Sequence, residues 1–162
     1  MCRPMSSAPL PKDALASMSG LELMQAMASG ALPRAPIGEL MGFNGMSVGD
    51  GWVEFFATPT AAHYNPIGTV HGGFAATLLD SCMACAVHTR VAAGFGYTTV
   101  DLNITYLKAM TDATGRVTAR GEVISASKRI ATARGSIVDA EGRLLATGTT
   151  TCLVFPLTPR GR

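Results

Sequence analysis

Residues 72–89, GGFAATLLDSCMACAVHT, constrain the rest of the chain more than any other stretch. Ala75, Leu79, Cys82 and Ala86 share one helical face, and Leu78, Met83 and Val87 widen it until almost every side is apolar. A helix of that kind is buried on most sides. The chain beyond it reads as strand. Over Tyr97–Leu107, Val100, Leu102, Ile104 and Tyr106 alternate with Thr99, Asp101, Asn103 and Thr105, the period of a half-buried strand. Arg116–Ser125, Arg129–Asp139 and Leu144–Phe155 continue the pattern, the last two joined by the tight turn Asp139-Ala140-Glu141-Gly142. Upstream, Leu40–Val48 and Trp52–Ala57 flank Gly49-Asp50-Gly51 and predict a hairpin. One long helix meets that many strands only if the sheet curls around it. The expected fold is α+β, an antiparallel sheet wrapped around a long central helix. Gly72, Gly73, Ala75, Ala76, Ala84 and Ala86 are the residues expected to admit a close helix–sheet approach.

The first 35 residues differ in kind. Residues 1–16 are rich in Pro and Ser and predict a mobile lead. Met18, Leu21, Met24 and Met27 then recur at helical spacing before Gly30 and Pro33 stop the run. Two readings stand for this short amphipathic helix: a cover for the core, favoured, or a Met-lined lid over an apolar substrate.

Within the 162 residues only 15% are charged, which leaves little polar surface for a monomer and predicts a large subunit interface. A net charge of +2 argues against a nucleic-acid partner. No apolar run reaches the roughly 18–20 residues that span a bilayer, and the first residues lack the apolar core of a secretion signal, so a cytoplasmic protein without membrane attachment is expected. Cys82-x-x-Cys85 lies inside the helix without a second such pair, and His63, His71 and His88 have no metal spacing. Neither a metal nor another cofactor is implied.

Asp80 is the one carboxylate in the apolar helix, and burying it costs several kcal/mol unless something uses or satisfies it. His71-Gly72-Gly73 opens the same helix, with Asn65 six residues before His71 and Asp80 nine after it. A helix start offers free N–H groups and a positive dipole end, and glycine there admits a ligand close to the backbone.

Asn65-x-x-Gly68-x-x-His71-Gly72-Gly73, then Asp80, then Val100-Asp101-Leu102-Asn103-Ile104-Thr105-Tyr106, resembles the hotdog-fold acyl-CoA thioesterases. The similarity is greatest to the phenylacetate-pathway group, which includes the mammalian thioesterase-superfamily member 2 enzymes. The resemblance covers about residues 38–155 and implies a hotdog thioesterase domain over residues 36–158. It implies hydrolysis of acyl-CoA to free acid and CoA. It places the oxyanion donor on the Gly72 N–H, the catalytic carboxylate on Asp80, orientation of the thioester or water on Asn65, and support of the loop on His71. Gly73 extends the glycine-led helix start as a candidate substrate-binding residue. Thr99 falls where relatives hold the attacking water; in some members the spacing differs by one residue, which brings Thr98 forward as an alternative. Whether Asp80 acts as base or as nucleophile stays open.

CoA carries phosphates, and Lys128-Arg129 after Ser125-Ala126-Ser127 form a turn that suits one through N–H groups and two cations; a plain solvated turn is an equal reading. Gly72 and Asp80, eight residues apart, lie about 12 Å apart along one helix, too far to meet one carbonyl. Two antiparallel copies of the helix remove the difficulty, so a homodimer, or a homotetramer built from two dimers, is expected, with each site shared. Two rivals from the same fold are a hydratase or dehydratase, which lacks its His-plus-acid pattern here, and a non-catalytic acyl-CoA sensor, for which Asp80 is superfluous.

Overall fold

The computed structural model describes residues 7–157. Its centre is helix α4 (Gly72–His88), 17 residues long. Around it curls one antiparallel six-stranded sheet in the order β1-β2-β4-β5-β6-β3. The strands are β1 (Phe43–Gly49), β2 (Trp52–Ala57), β3 (Phe95–Tyr106), β4 (Val117–Ala126), β5 (Ile130–Val138) and β6 (Leu144–Pro156). Three shorter helices precede the sheet: α1 (Lys12–Ser17), α2 (Gly20–Ser29) and α3 (Pro36–Leu40). Among the described residues no helix is long and apolar enough to cross a membrane.

The expected strand order holds, with one local change. Residues 36–40, which run into the start of the segment read as strand, form α3 instead, opened by Pro36 in its first turn. Proline suits that position because the N–H it lacks has no helical partner there. The hairpin follows at β1–β2, closed by Gly49↔Trp52.

The side of α4 that meets the sheet carries Leu78, Leu79, Cys82, Met83, Ala86 and Val87, all fully buried. The close approach comes from the sheet as much as from the helix. Gly121, Gly135 and Gly148 sit side by side on β4, β5 and β6. A Cβ on Gly121 would lie 2.3 Å from the Cys82 carbonyl oxygen, and one on Gly135 would lie 2.8 Å from Met83 Cγ. Of the small helix residues, Ala75 and Ala86 do face the core, whereas Gly72 and Gly73 lie at the open end. The helix's bulky residues thus rest on a glycine floor, and burying each such side chain stabilises the fold by roughly 1.5–3 kcal/mol.

Helix α2 covers part of α4 with Leu23, Met24 and Met27. Its buried face is one step round from the stripe read from the sequence, because Ser19 caps the helix and Gly20 starts it. Ser19 and Glu22 form a reciprocal capping box that sets this register. Gly20 lies so close to the His88 carbonyl that any Cβ there would clash. The Gly20 N–H donates to the Val91 carbonyl at 2.9 Å, clamping α2 to the end of α4.

Strand β3 is an edge. It pairs on one side with β6, and a bulge interrupts the register between Thr99 and Asp101. Val100, Leu102 and Tyr106 are 57%, 37% and 55% exposed on this edge, where the alternation alone predicts a core face.

Candidate active site

The loop before α4 is built from its own side chains. Asn65 Oδ1 accepts from the N–H groups of Ile67 (3.1 Å) and Thr69 (3.2 Å), and its Nδ2 donates to Thr69 Oγ1 (2.9 Å). Asn65 therefore shapes the loop first. The Val70 N–H reaches the Met110 carbonyl at 2.9 Å, and the His71 N–H reaches the His63 carbonyl at 2.7 Å. Tyr64 Oη donates to Asp112 Oδ1 at 2.7 Å and ties the loop to the connection between β3 and β4. His63 stacks on Phe74 of the helix with ring centroids 4.6 Å apart.

At the helix start the donors are allotted one by one. His71 is the N-cap, and its Nδ1 accepts from the Gly73 N–H at 2.8 Å. The Phe74 N–H goes to the His71 carbonyl at 2.9 Å. Among the described residues the Gly72 N–H makes no backbone or side-chain hydrogen bond, so it is the first-turn donor left for a ligand. Tyr106 Oη donates to the Gly72 carbonyl at 3.2 Å, and a Cβ on Gly72 would touch the Tyr106 ring at 3.2 Å. Tyr106 thus buttresses the peptide that carries the donor. A cleft of about 290 Å³, lined by Gly72, Tyr106 and Lys108 among others, opens beside it.

Asp80 lies two turns further along, half-buried, and accepts from Thr99 Oγ1 at 2.8 Å. The β3 bulge explains how. Strict alternation puts Thr99 and Ile104 on opposite faces, but one extra residue at Val100 shifts the phase. Thr99 then joins Tyr97, Ile104 and Tyr106 on the helix side. Thr98 falls on the other face, so the structure brings Thr99 and not Thr98 to the carboxylate.

Burial pushes the Cys82 thiol upward in pKa, and burial pushes that of Cys85 up to about 12 against a hydrogen bond with Tyr97. Both stay protonated, in keeping with packing rather than ligation or redox work. At the far end of α4, His88 stacks on Tyr97 with centroids 4.8 Å apart, and burial lowers its pKa to about 4.

The turn at Lys128-Arg129 is tied inward: the Ser127 N–H donates to the Ile130 carbonyl (2.9 Å) and the Ile130 N–H to Ser127 Oγ (3.1 Å). Those two donors are used, and the cations remain. Lys128 stands at the mouth of a pocket of about 430 Å³, with Arg90 also in its wall. Arg120 and Arg134 are committed elsewhere, to Glu54 and Glu122 at 2.8–3.2 Å on the outer face of the sheet.

Sequence reasoning missed Tyr106 and Lys108 at the helix start and Arg34 near the middle of α4. Arg34 Nε is buried without a hydrogen-bond partner among the described residues. Leaving such a donor unpaired costs about 1–3 kcal/mol. The only sequence signal for Tyr106 was its parity with Ile104, and Arg34 gave none.

The chain is similar in sequence and fold to known thioesterases. The family model of the thioesterase superfamily matches residues 67–146. A single-residue variant of phenylacetic acid degradation protein PaaI from Thermus thermophilus is 31% identical, with a TM-score of 0.66, and the match covers 73% of this chain and 97% of that one. A putative thioesterase, a phenylacetic acid degradation-related protein from Ralstonia eutropha, is 25% identical with a TM-score of 0.72, over 80% of this chain and 97% of that one. A thioesterase from Haemophilus influenzae shares the fold at 24% identity and a TM-score of 0.70, over 88% and 94%. No curated protein matches the chain.

Proposed function

Because this chain belongs to the thioesterase superfamily, as a hotdog-fold member of the PaaI type, we propose that it hydrolyses acyl-CoA thioesters to the free acid and CoA. The observation that carries the proposal is the Gly72 N–H, without a hydrogen bond among the described residues, on a helix whose other half bears a half-buried Asp80 held by Thr99. A carbonyl oxygen that gains charge during attack is stabilised by a donor fixed before the reaction begins. The Gly72 N–H fits that role: the His71 cap keeps Gly73 occupied, and Tyr106 holds the peptide.

Asp80 drives the attack, as base toward water or directly as nucleophile. In either route water supplies the oxygen of the acid, and the sulfur leaves as the CoA thiol. Thr99 holds one carboxylate oxygen by donating to it and leaves the other to the reaction. Asn65 and His71 act through the loop, as positioning residues. The CoA phosphates lie toward Lys128 and Arg129, bound by charge at the pocket mouth.

Each site takes Gly72 from one copy and Asp80 from another. The two residues lie about 12 Å apart along α4, farther than one reacting carbon can bridge. The β3 edge, with Val100 and Leu102 exposed, is the surface along which a second copy extends the sheet and sets the two α4 helices side by side.

A panel of aryl-, medium-chain and long-chain acyl-CoAs, with Asp80→Ala alongside the wild type, tests the proposal. Hydrolysis of at least one member that falls to background in Asp80→Ala is the expected result. Equal rates in both proteins across the panel overturn it.

A further inference from the structure

We infer that the acyl group this site accepts ends in an oxygen acceptor, a carboxylate before any other, which Arg34 receives in the wall of a small apolar cavity beside Asp80. The inference rests on the thioesterase reading and names its substrate class.

The cavity has a volume of about 70 Å³. That exceeds what one water needs and suits the last few atoms of a chain. Its walls are Met27 from α2, Ile37 from α3, Phe43 and Met46 from β1, Phe55 from β2 and Cys85 from α4. Phe43 and Phe55 stand 5.2 Å apart between ring centroids and make one wall stiff. The remaining helix residue in the wall is Ser81, next in sequence to Asp80. On α4 one residue is a rotation of about 100° and a rise of about 1.5 Å. A thioester carbonyl held at Asp80 therefore directs its chain across Ser81 and into the cavity.

Arg34 also lines this space, and its Nε is the one buried side-chain nitrogen or oxygen that lacks a partner among the described residues. Every acidic residue that the structure pairs with an arginine is paired with another one: Asp50 with Arg90, Glu54 and Glu122 with Arg120, Asp139 and Glu141 with Arg143. An arginine that lines an otherwise apolar chamber and carries an unpaired donor has a function for a ligand that brings the missing acceptor. An alkyl tail leaves the donor unpaired; a tail ending in carboxylate satisfies it with a charge-assisted bond. The segment from Gly30 to Pro36 that positions Arg34 lies before the residues matched by the family model.

The test compares chains of equal length: hexanoyl-CoA against adipoyl-CoA, and octanoyl-CoA against suberoyl-CoA. In the wild type the ω-carboxyl member of at least one pair is expected to have a kcat/KM higher by about tenfold or more. In Arg34→Met the order reverses, through loss on the carboxyl member alone, while the melting temperature does not fall. Binding of the same pairs to Asp80→Asn, with and without Arg34→Met, reads the preference without turnover. The carboxyl member binds tighter only when Arg34 is present. If the wild type hydrolyses the alkyl thioesters with dependence on Asp80 but shows no preference that Arg34→Met removes, this inference fails and the thioesterase reading stands. If no thioester of either kind is hydrolysed or bound, both fail. Should Arg34→Met not fold, Arg34→Lys decides: a preference unchanged without the Nε donor overturns the assignment, and its loss supports it.

Discussion

The two sides of α4 obey different rules. Toward the sheet, Leu78, Leu79, Cys82 and Met83 are sealed against the glycines of β4, β5 and β6, and one chain completes the packing. Toward the outside, Gly73, Thr77, Asp80 and Ser81 are only half-buried, and the polar groups there are held but not used up. The first side is finished by a single copy. On the function proposed above, the second is the face that meets a substrate and another copy of the chain. If the proposed function holds, the same helix carries stability on one face and chemistry on the other, and substitutions on the two faces should separate the two properties.

The largest effect belongs to the outer face. Asp80→Asn is expected to lower kcat by about 10²–10⁴-fold and Gly72→Pro by about 10²–10³-fold, with melting temperatures near that of wild type. Proline is tolerated at the first helical position, and His71 already has the extended backbone that a following proline requires. Gly72→Ala keeps the N–H and so controls for crowding against Tyr106. Coexpressed Asp80→Asn and Gly72→Pro chains restore one intact site in each mixed dimer, about a quarter of wild-type activity under random pairing. Recovery no greater than either parent breaks the shared-site arrangement.

On the sheet face the effect should fall on stability. Gly121→Ala forces a Cβ against the Cys82 carbonyl, and a cost of about 3 kcal/mol is expected from urea unfolding. The specific activity of the protein that remains folded should change far less than in the Asp80 variant. A full loss of activity in well-folded Gly121→Ala would erase the distinction between the faces.

His88 closes the outer face at its far end and makes the comparison pH-dependent. Its pKa is pushed down to about 4 by burial, whereas the unfolded chain has the ordinary value of about 6.5. The unfolded state therefore binds the proton first as pH falls. The stability of the neutral buried ring is complete above about pH 6.5 and declines toward pH 4, by about 3 kcal/mol in all. Urea midpoints measured across that window should show the slope, and His88→Phe should flatten it.

The smallest effect tests the buttress. Tyr106→Phe removes the hydroxyl that reaches the Gly72 carbonyl, and kcat should fall several-fold, in line with about 1 kcal/mol for one hydrogen bond. KM should change little, because the bond lies behind the donor and not in the substrate's path.

Much of this could be read from residue order. The apolar helix with one acid, the strand runs after it and the His71-Gly72-Gly73 start led to the wrapped sheet and to Asp80 and Gly72. Periodicity misled at β3, where Val100 alternates like a core residue and instead falls in the bulge, exposed. A bulge changes which face a residue takes and leaves composition untouched, so Thr99 and Tyr106 cannot be seen to share a face before the pairing with β6 is known. The glycines of β4, β5 and β6 lie far apart along the chain and become one floor only through strand register.

Sequence alone determined the local matters: which segment is a buried helix, where it begins, and that one carboxylate rides on it. These follow from backbone stereochemistry and from the cost of burying charge, both felt within a few residues. Tertiary structure decided that the Gly72 N–H stays free among the described residues, which threonine meets Asp80 and where the Arg34 Nε becomes buried. Those outcomes depend on distances between groups remote in sequence, and such distances exist only once the sheet has closed around the helix.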